Sequence, residues 1–309
     1  MEIHEIRYFL ALSETLNFTR AAERCNVSQP ALTRAIQNLE DKLGGGPLVH
    51  RERGNTHLTE LGRMMRPYFE QMFAGLEGAK TKAKDYGKSG KATLTIGLMC
   101  TIGPSKLIDL FAAFRTHNDG VELYLKDASA TALEELLAKG ELDIAIYCKP
   151  EVPGDRFHVM PLYTERFVVA VANDHSLARL NAVNFKDLDG QIYLNRVNCE
   201  YFDYLKTLRE QSGAKIQCPY RSERDDWIQS MVAAGLGFTF IPEFAVTIPG
   251  LAIRQLVQPE VIRTVNLVTV RGRPHSPAVG AFVREAKRYP WQQKLHTSRD
   301  APEEARLDA

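Results

Sequence analysis

Apolar residues recur at helical spacing in three short stretches at the start of the chain. The first stretch covers residues 3–16, and the second covers residues 19–25. The third follows a turn and begins at Ser28, a good N-cap, with Pro30 in the first turn, where its missing amide donor costs nothing. Three helices with a short turn between the last two predict a helix-turn-helix.

The third helix has one apolar and one polar face. Its apolar face consists of Leu32, Ile36, Leu39 and Leu43. Its polar face consists of Gln29, Thr33, Arg34 and Gln37. Such a polar face is typical of a helix that reads DNA, but it is also typical of an ordinary solvated helix. The elements that follow decide between these two interpretations.

Two later elements favour DNA binding. A glycine run ends the third helix, and residues 50–58 then predict a short hairpin that carries Arg51 and Arg53, which is the pattern of a wing. Thr59 begins a long helix whose apolar stripe has a spacing close to that of a coiled coil, so a second copy of the chain is its simplest partner. This stripe consists of Leu61, Met64, Met65, Tyr68, Phe69, Met72, Phe73 and Leu76. The charged run at residues 80–91, after the stripe, predicts a linker.

From Ala92 onward, strand-like and helix-like segments alternate. This alternation predicts an α/β fold with parallel sheets. The region is longer than one small doubly wound domain requires, so we expect two lobes with a cleft between them. Strands are predicted at residues 93–98, 121–126, 142–147, 167–171, 191–195 and 238–241, and helices at residues 105–116, 131–139 and 226–234.

Composition is that of a globular protein, with 44% hydrophobic and 25% charged residues among 309. No apolar run is long enough to cross a bilayer, and the acidic N-terminus does not match a secretory signal. We therefore expect a cytoplasmic protein without a membrane partner. The net charge of +1 does not by itself indicate a nucleic-acid binder, so the DNA hypothesis rests on where the arginines lie.

The sequence offers no motif for catalysis or cofactor binding. It contains no GxSxG elbow, no GxxxxGKS or GxxxxGKT phosphate loop, no HExxH and no GxGxxG after a strand. The eight histidines lack ligand spacing and the five cysteines form no CxxC pair, so neither a metal nor a cofactor is expected. An α/β enzyme and a pure solute-binding protein are the rival hypotheses. A gel shift with promoter DNA separates both from a regulator.

Three segments carry a family resemblance. FTRAAERCNVSQPALTRAIQNLEDKLGG, followed by HRERGNTHLTELG, resembles the DNA-binding head of the LysR-type transcriptional regulators. MVAAGLGFTFIPEFAV resembles a helix–strand–helix of their effector domain. The resemblance covers nearly the whole chain. The sequence departs from the family pattern after Leu43, where an extra glycine is present and Val49 replaces an aromatic residue. This departure affects the pose of the wing.

The resemblance implies a winged head, a linker helix and a two-lobed effector domain of the periplasmic-binding-protein type. It also implies a homodimer or homotetramer that binds double-stranded promoter DNA at a dyad-symmetric site. The implied bounds are residues 1–58 for the winged helix-turn-helix, 59–90 for the linker and dimerisation helix, 91–162 with 269–290 for lobe I, 163–268 for lobe II and 291–309 for a flexible tail.

The residues expected to contact DNA lie in the head. Gln29 and Arg34 suit adenine or guanine edges in the major groove, and Ala31 suits a thymine methyl group, as does Thr33. Helix starts suit phosphates, and Arg53 suits the minor groove. The predicted set is Thr19, Ser28, Gln29, Pro30, Ala31, Thr33, Arg34, Arg51 and Arg53.

The first sensor hypothesis is a small carboxylate effector in the cleft. Thr101 lies between a predicted strand and a predicted helix, and further helix starts are predicted near Ser129 and Cys199. Backbone donors at helix N-termini bind anions, and the family resemblance implies carboxylate effectors. The predicted effector residues are Cys100, Thr101, Ser129, Thr131, Asn198 and Cys199.

The second sensor hypothesis is oxidation of Cys199. A helix N-terminus lowers the pKa of a thiol and makes it more reactive. The segments IGLMCTIGP, NCEYFDYL and MVAAGLGFTFIP are similar to the peroxide-sensing OxyR branch, which implies a peroxide held by Thr101 and a disulfide from Cys199 to a second cysteine. The chain departs from that branch, because the next cysteine, Cys218, lies 19 residues on and Asn198 stands where the branch carries histidine.

Other roles for the cysteines stay open. Cys100 is an alternative disulfide partner, and Cys199 also suits an unreactive residue that lines a ligand pocket. Cys218 suits a core position at the end of a strand, and Cys25 and Cys148 suit the core. The sequence therefore leaves redox sensing and metabolite binding both open.

Overall fold

The computed structural model divides into two compact units. One unit holds residues 1–93 with 134–143 and 272–274, and the other holds the rest of the described chain. The structure describes residues 1–52, 55–89, 91–151, 153–197 and 199–291.

The first unit opens with the predicted helix-turn-helix, which is confirmed. It consists of α1 (Ile3–Thr15), α2 (Phe18–Cys25) and α3 (Gln29–Leu43). The Asn17 side chain caps α2 and Ser28 caps α3, because each accepts a hydrogen bond from a backbone amide of the first turn. The helices share a buried apolar core that includes Leu12, Ala21, Leu32 and Ile36.

The predicted wing and long helix follow. Strands β1 (Val49–Glu52) and β2 (Asn55–Leu58) pair antiparallel, and α4 (Glu60–Ser89) begins where the Thr59 hydroxyl accepts a 2.9 Å hydrogen bond from the Gly62 amide. Phe69 of α4 meets Phe9 of α1 edge-on at 5.4 Å between ring centroids, and both are fully buried. This contact anchors α4 to the helix-turn-helix.

The second unit is an α/β structure built on one long sheet. Within the described residues its strand order is β4-β3-β5-β12-β6-β11-β7, and β10 also pairs with β6. The strands are β3 (Ala92–Met99), β4 (Val121–Ala128), β5 (Ile144–Tyr147), β6 (Phe157–Ala172), β7 (Ala182–Asn184), β8 (Ile192–Arg196), β9 (Gln217–Ser222), β10 (Thr239–Pro242), β11 (Leu251–Val257) and β12 (Ile262–Val270). The helices after α4 are α5 (Ile108–His117), α6 (Ala130–Lys139), α7 (Phe202–Ser212), α8 (Asp225–Ala233) and α9 (Pro277–Arg288), and residues 134–139 of α6 are counted with the first unit.

The predicted parallel pairing holds for only some of the strands. Strands β3 and β5 pair parallel, as do β8 and β9, but β12 is antiparallel to both β5 and β6. The reason is that the chain passes from the first lobe to the second along β6 and returns along β12, so the two strands run side by side in opposite directions. We call the lobe with β3, β4 and β5 lobe I, and the lobe with β7 to β11 lobe II.

Each lobe packs its own apolar core against this sheet. The largest core of lobe II is aromatic and includes Phe167, Tyr193, Phe238 and Phe240. Trp291, the first residue of the predicted tail, stacks on Tyr163 at 5.3 Å, and its indole nitrogen donates to the carbonyl of Ala286. The remainder of the predicted tail lies outside the described residues.

Candidate functional site

Helix α3 presents polar residues on its exposed face. Gln29, Ala31 and Arg34 are exposed, and Thr33 is half-buried. The Gln29 amide donates a 3.2 Å hydrogen bond to the Thr33 hydroxyl, so these two side chains are held together one turn apart. The opposite face of α3 packs Leu32 and its neighbours into the core, which fixes the direction of the polar face.

The start of α3 is ordered by its own cap. The Ser28 hydroxyl accepts a hydrogen bond from the Ala31 amide, and Pro30 occupies the first turn. Thr19 is exposed near the start of α2, two residues after the Asn17 cap. Two helix N-termini with exposed residues are thus available on this unit, and such termini favour phosphate groups.

The hairpin is held to α3 by a carboxylate. Glu40 accepts hydrogen bonds from the amides of Leu48 at 2.7 Å and Val49 at 3.3 Å, immediately before and at the start of β1. Arg51 lies in β1. Arg53 was also predicted to contact DNA, but it lies outside the described residues.

The second unit contains a cleft of ≈ 370 Å³ between the end of β3 and lobe II. Cys100, Gly103 and Pro104 line it from lobe I, and Arg196 and Gln229 line it from lobe II. The backbone near Phe244 passes so close to Gly103 that an added Cβ would collide with the Phe244 carbonyl oxygen. The predicted cleft is therefore present, and the close approach of the Phe244 backbone to its lining requires glycine at position 103.

The charge of this cleft does not favour a carboxylate ligand. Its lining carries four carboxylates, those of Asp127, Glu223, Asp225 and Asp226, against two guanidinium groups. Both guanidinium groups are paired, Arg196 with Asp225 at 2.9 Å and Arg224 with Asp226. An incoming anion would meet net negative charge here, so the expected class of effector lacks electrostatic support.

A second and much smaller cavity of ≈ 10 Å³ lies beside Cys199. Thr101, Arg196 and Asp225 supply its polar lining. Its remaining lining is mostly apolar and comprises Phe167, Ile228, Thr239, Phe240, Ile241 and Pro242. A volume of this size holds about one water-sized molecule and excludes a metabolite.

Thr101 is not available in the way that the sequence predicted. It is only 3% exposed, and its hydroxyl donates a 3.0 Å hydrogen bond to Glu200 and accepts one of 3.0 Å from Arg263. The Thr101 carbonyl accepts a further hydrogen bond from Arg263. The expectation of free donors at this strand end is thus corrected, because Glu200 takes the hydroxyl of Thr101 and the amides of Cys100 and Ile102 donate to the carbonyls of Ala128 and Met99.

These charged residues form a buried cluster that the sequence analysis missed. Arg263 of β12 donates to Glu165 of β6 at 2.9 and 3.0 Å, and it also pairs with Glu200. The side chains of Arg263 and Glu165 are 0% exposed and that of Glu200 is 8% exposed. The Cys148 thiol donates to Glu200 at 3.4 Å. We call Arg263, Glu165, Glu200, Thr101 and Cys148 the buried cluster.

Cys199 precedes a helix but does not cap it. Helix α7 begins at Phe202, and the Phe202 amide donates to the Cys199 carbonyl in a preceding turn. Burial, together with the Glu200 carboxylate, raises the pKa of the Cys199 thiol to about 12 against smaller opposing effects of a backbone hydrogen bond from Tyr201 and of the Arg263 and Arg196 charges. The expected lowering of this pKa is therefore wrong for this structure, because desolvation outweighs the positive charges nearby.

The remaining cysteines lie in both lobes and in the first unit. Cys218 lies in β9 and packs, like Cys199, against the aromatic core of lobe II. Cys148 is buried, and burial raises the pKa of its thiol well above the ordinary value. Cys100 is half-buried at the cleft, and Cys25 packs against the core of the first unit, as expected.

Two of the predicted effector residues, Ser129 and Thr131, do not line either cavity. The Ser129 hydroxyl accepts a 3.4 Å hydrogen bond from the Ala132 amide, and Thr131 is exposed on α6. Neither contributes to the lining of the two cavities, because α6 directs them elsewhere. Asn198 lies outside the described residues.

The described part of the chain shows no group of three or more histidine, cysteine or carboxylate side chains arranged to hold a metal ion. No helix within the same ranges is long and apolar enough to span a membrane.

Two family models match the chain. The model described as LysR substrate binding domain matches residues 87–290. The model described as bacterial regulatory helix-turn-helix protein, lysR family, matches residues 3–63.

Individual relatives match over nearly the full length. The hydrogen peroxide-inducible genes activator of Haemophilus influenzae is 32% identical over 296 residues, which cover 93% of this chain and 95% of the relative. The DNA-binding transcriptional dual regulator OxyR of Escherichia coli is 30% identical and covers 90% of this chain and 91% of its own.

Solved structures give the same picture of the fold. A full-length OxyR from Pseudomonas aeruginosa matches with a TM-score of 0.58 and 26% identity, over 94% of this chain and 96% of that chain. CbnR in complex with its target DNA matches in fold, with a TM-score of 0.53 at 22% identity, over 93% of this chain and 99% of that chain.

Proposed function

The chain belongs to the LysR family of transcriptional regulators, and from this premise we propose that it binds promoter DNA through α3 and the wing and responds to a peroxide at Cys199. Its relatives include activators of peroxide-inducible genes. We infer that it acts as a regulator rather than an enzyme, in the cytoplasm, where bacterial DNA lies.

The proposed DNA contacts follow from the exposed face of α3. Gln29 and Arg34 would read base edges in the major groove, whereas Ala31 and Thr33 would meet thymine methyl groups. Thr19, Ser28 and Pro30 lie at helix starts and would position the head on phosphates. The wing arginines Arg51 and Arg53 complete the proposed interface.

We propose a homodimer, and from it the family's tetramer, because α4 leaves an apolar stripe uncovered. Met64, Tyr68 and Met72 recur every four residues and are 57%, 60% and 49% exposed. A second α4 would cover these side chains and place two heads on a dyad-symmetric site.

The observation that carries the peroxide proposal is the ≈ 10 Å³ cavity beside Cys199. Hydrogen peroxide is small, uncharged and rich in hydrogen-bonding atoms. Its hydrogen-bonding atoms match the polar lining that Thr101, Arg196 and Asp225 give this cavity, and it is closer than any metabolite to the single water-sized molecule that the cavity holds. A carboxylate metabolite is too large for the cavity and would meet negative charge in the larger cleft.

The proposed reaction has two steps. The Cys199 thiolate attacks one peroxide oxygen, the O–O bond breaks, and Cys199 becomes a sulfenic acid while water leaves with the second oxygen. A second thiol then attacks the sulfenic sulfur, which forms a disulfide and releases another water. Cys199 is oxidised and the peroxide is reduced.

We propose Cys218 as the second thiol. Cys199 and Cys218 pack against the same aromatic core, and both lie close enough to Tyr193 to add to the pKa increase that burial causes in that phenol. Cys218 lies at the register irregularity of β8 and β9, between the Ile192–Gln217 and Leu194–Tyr220 pairs, where the strand pairing is interrupted. Cys100 at the cleft is the alternative partner.

The test is to titrate the purified protein with hydrogen peroxide up to one equivalent and to map each thiol by peptide mass spectrometry. The proposal expects Cys199 to be lost first, a Cys199–Cys218 disulfide to form, and Cys218→Ser to stop at the sulfenic acid. A disulfide that persists in Cys218→Ser and vanishes in Cys100→Ser would assign the partner to Cys100. If Cys199 stays reduced until every exposed thiol reacts, the peroxide proposal is wrong.

A second candidate signal rests on the ≈ 370 Å³ cleft, which is large enough for a small metabolite. In that case Cys199 would only line the neighbouring wall. A thermal-shift screen of small metabolites against wild type and Cys199→Ser would then find a stabilising ligand that acts equally on both proteins.

A further inference from the structure

Glu200 follows Cys199 directly and ties it to three other strands. Its carboxylate accepts hydrogen bonds from Thr101 after β3, from Cys148 after β5 and from Arg263 of β12. The residue next to the proposed sensor thiol is therefore held by both lobe I and a strand that connects the lobes.

The buried cluster contains more negative than positive charge. Arg263 is its single guanidinium, and it is shared between the carboxylates of Glu165 and Glu200. Since all three side chains are removed from water, the charge of Arg263 is already fully used by its own partners. A thiolate at Cys199 would add a third negative charge to this surrounding.

We propose that Glu200 is a brake on Cys199: by occupying Arg263 and the Thr101 hydroxyl, it withholds positive charge and a hydrogen-bond donor from the neighbouring thiol until the carboxylate is displaced. Glu200 is thus a positioning residue for the proposed oxidation and does not itself react.

The same contacts suggest how the brake is released. Thr101 lines the ≈ 10 Å³ cavity and donates its hydroxyl hydrogen to Glu200. A peroxide bound in that cavity competes with Glu200 for this hydroxyl. A movement of the Cys199 loop away from β3 and β5 separates Glu200 from both Thr101 and Cys148. Either event weakens the hold on the Glu200 carboxylate, so that it can leave Arg263 and the guanidinium stays next to Cys199.

The electrostatic consequence has a definite sign. Burial holds the pKa of Cys199 at about 12, with Glu200 raising it and Arg263 lowering it. Removal of the Glu200 charge takes away one raising effect and frees one lowering effect. The other charged or titratable groups that surround Cys199 are Arg196, Asp225, Tyr193 and Cys218.

The test measures alkylation of Cys199 by iodoacetamide between pH 6 and pH 10, read by peptide mass spectrometry in the full chain. Glu200→Gln keeps the size and most hydrogen bonds of the side chain but removes its charge. We expect its Cys199 to react about tenfold faster at every pH in this range, which displaces the rising rate–pH line by about one unit toward lower pH. Glu200→Asp retains the charge and should stay near wild type.

A matched control is Glu210→Gln, which makes the same change on the exposed part of α7. It should leave the alkylation rate unchanged at every pH in the range. Circular dichroism of Glu200→Gln verifies that the variant is folded, and Glu200→Ala provides a second uncharged variant if it is not. A rate–pH line that is unchanged, or displaced toward higher pH, in a folded, uncharged variant would overturn the brake.

This inference rests on the proposed redox role of Cys199, but its test separates the two. Alkylation reports the state of the thiol without any peroxide. If Glu200→Gln speeds alkylation while peroxide still fails to oxidise Cys199 selectively, the brake stands and the peroxide proposal falls. If peroxide oxidises Cys199 selectively while alkylation is unaffected by Glu200→Gln, the peroxide proposal stands and the brake falls.

Discussion

Arg263 and Glu165 face each other on the two strands that connect the lobes, with 2.9 Å between Nη2 and Oε1 and with both side chains 0% exposed. A cation at this point compensates two carboxylates that water does not reach. The Arg263–Glu165 pair therefore affects the stability of the β6–β12 connection between the lobes as well as the charge next to Cys199.

Replacement of this cation should destabilise the effector domain. Arg263→Met leaves Glu165 and Glu200 buried together, which we expect to cost about 3–5 kcal/mol in the free energy of unfolding. The triple variant Arg263→Met, Glu165→Gln, Glu200→Gln should recover most of this loss, because it removes both uncompensated charges. Urea titration measures both values. A triple variant no more stable than the single one would contradict the electrostatic explanation.

The destabilisation of Arg263→Met should also depend on pH. Burial raises the pKa of Glu165, and Arg263 opposes this effect, so the pKa rises further in the variant. A raised folded-state pKa gives stability at low pH that is lost as the pH increases through that value. The deficit relative to wild type should therefore be smaller near pH 5 than near pH 8, in the same urea titrations.

Gly62 should tolerate no side chain. A Cβ at this position of α4 would collide with the carbonyl oxygen of Leu48 just before the wing. We expect Gly62→Ala to destabilise the head by about 1–3 kcal/mol and to weaken DNA binding. Gly75→Ala is the control on the same helix, where nothing lies within 4 Å, and it should be neutral or stabilising. Hydrogen-exchange mass spectrometry of head peptides in the full chain measures the stability change in both variants.

Arg34 should contribute base discrimination. Arg34→Ala should weaken binding to the specific site by about 1–3 kcal/mol and should relax the preference at one base pair. Arg115→Ala removes the same charge from an exposed position on α5 and should leave binding unchanged. Fluorescence anisotropy with the operator and with single-base variants distinguishes the two. Equal losses for Arg34→Ala on all sequences would assign Arg34 to the phosphate backbone instead.

The head should become less stable in acid through Glu5. Burial would raise the pKa of this carboxyl, but the 2.7 Å hydrogen bond from Lys42 and that from the Glu2 amide outweigh it and lower the pKa. The stabilisation is therefore complete above the ordinary pKa of glutamate and is lost as the pH falls through the lowered value. Lys42→Met should shift acid unfolding of the head to higher pH, whereas Lys80→Met should not. Hydrogen exchange of α1 across the acid range measures the shift.

The head was the most predictable part of the molecule. Its helices, caps and hairpin depend on local signals, such as Ser28 before Pro30, and these act within a few residues. The effector domain was predicted in outline, but β7, β9, β11 and β12 were not among the predicted strands. Strand β9 is mostly exposed and so lacks an apolar pattern, and β11 was not recognised because its alternation is weak.

The buried cluster was missed although a signal was present. Tyr163, Glu165 and Phe167 alternate along β6 and are all buried, and Arg263 holds the equivalent inward position before Val265 on β12. Strand periodicity thus places both charges on the core face. The hydrogen bond from Thr101 to Glu200 could not be predicted from the sequence, because it joins residues 99 positions apart.

The pairing of β6 with β12 also determines when the protein can finish folding. Phe157 is hydrogen-bonded in register opposite Val270, so the long sheet closes only after almost the whole chain has left the ribosome. The helix-turn-helix and hairpin, by contrast, make their contacts early in synthesis. Every nascent chain therefore carries a completed DNA-reading head before its sensor exists, and a chain truncated within the effector domain would compete for promoters without responding to any signal.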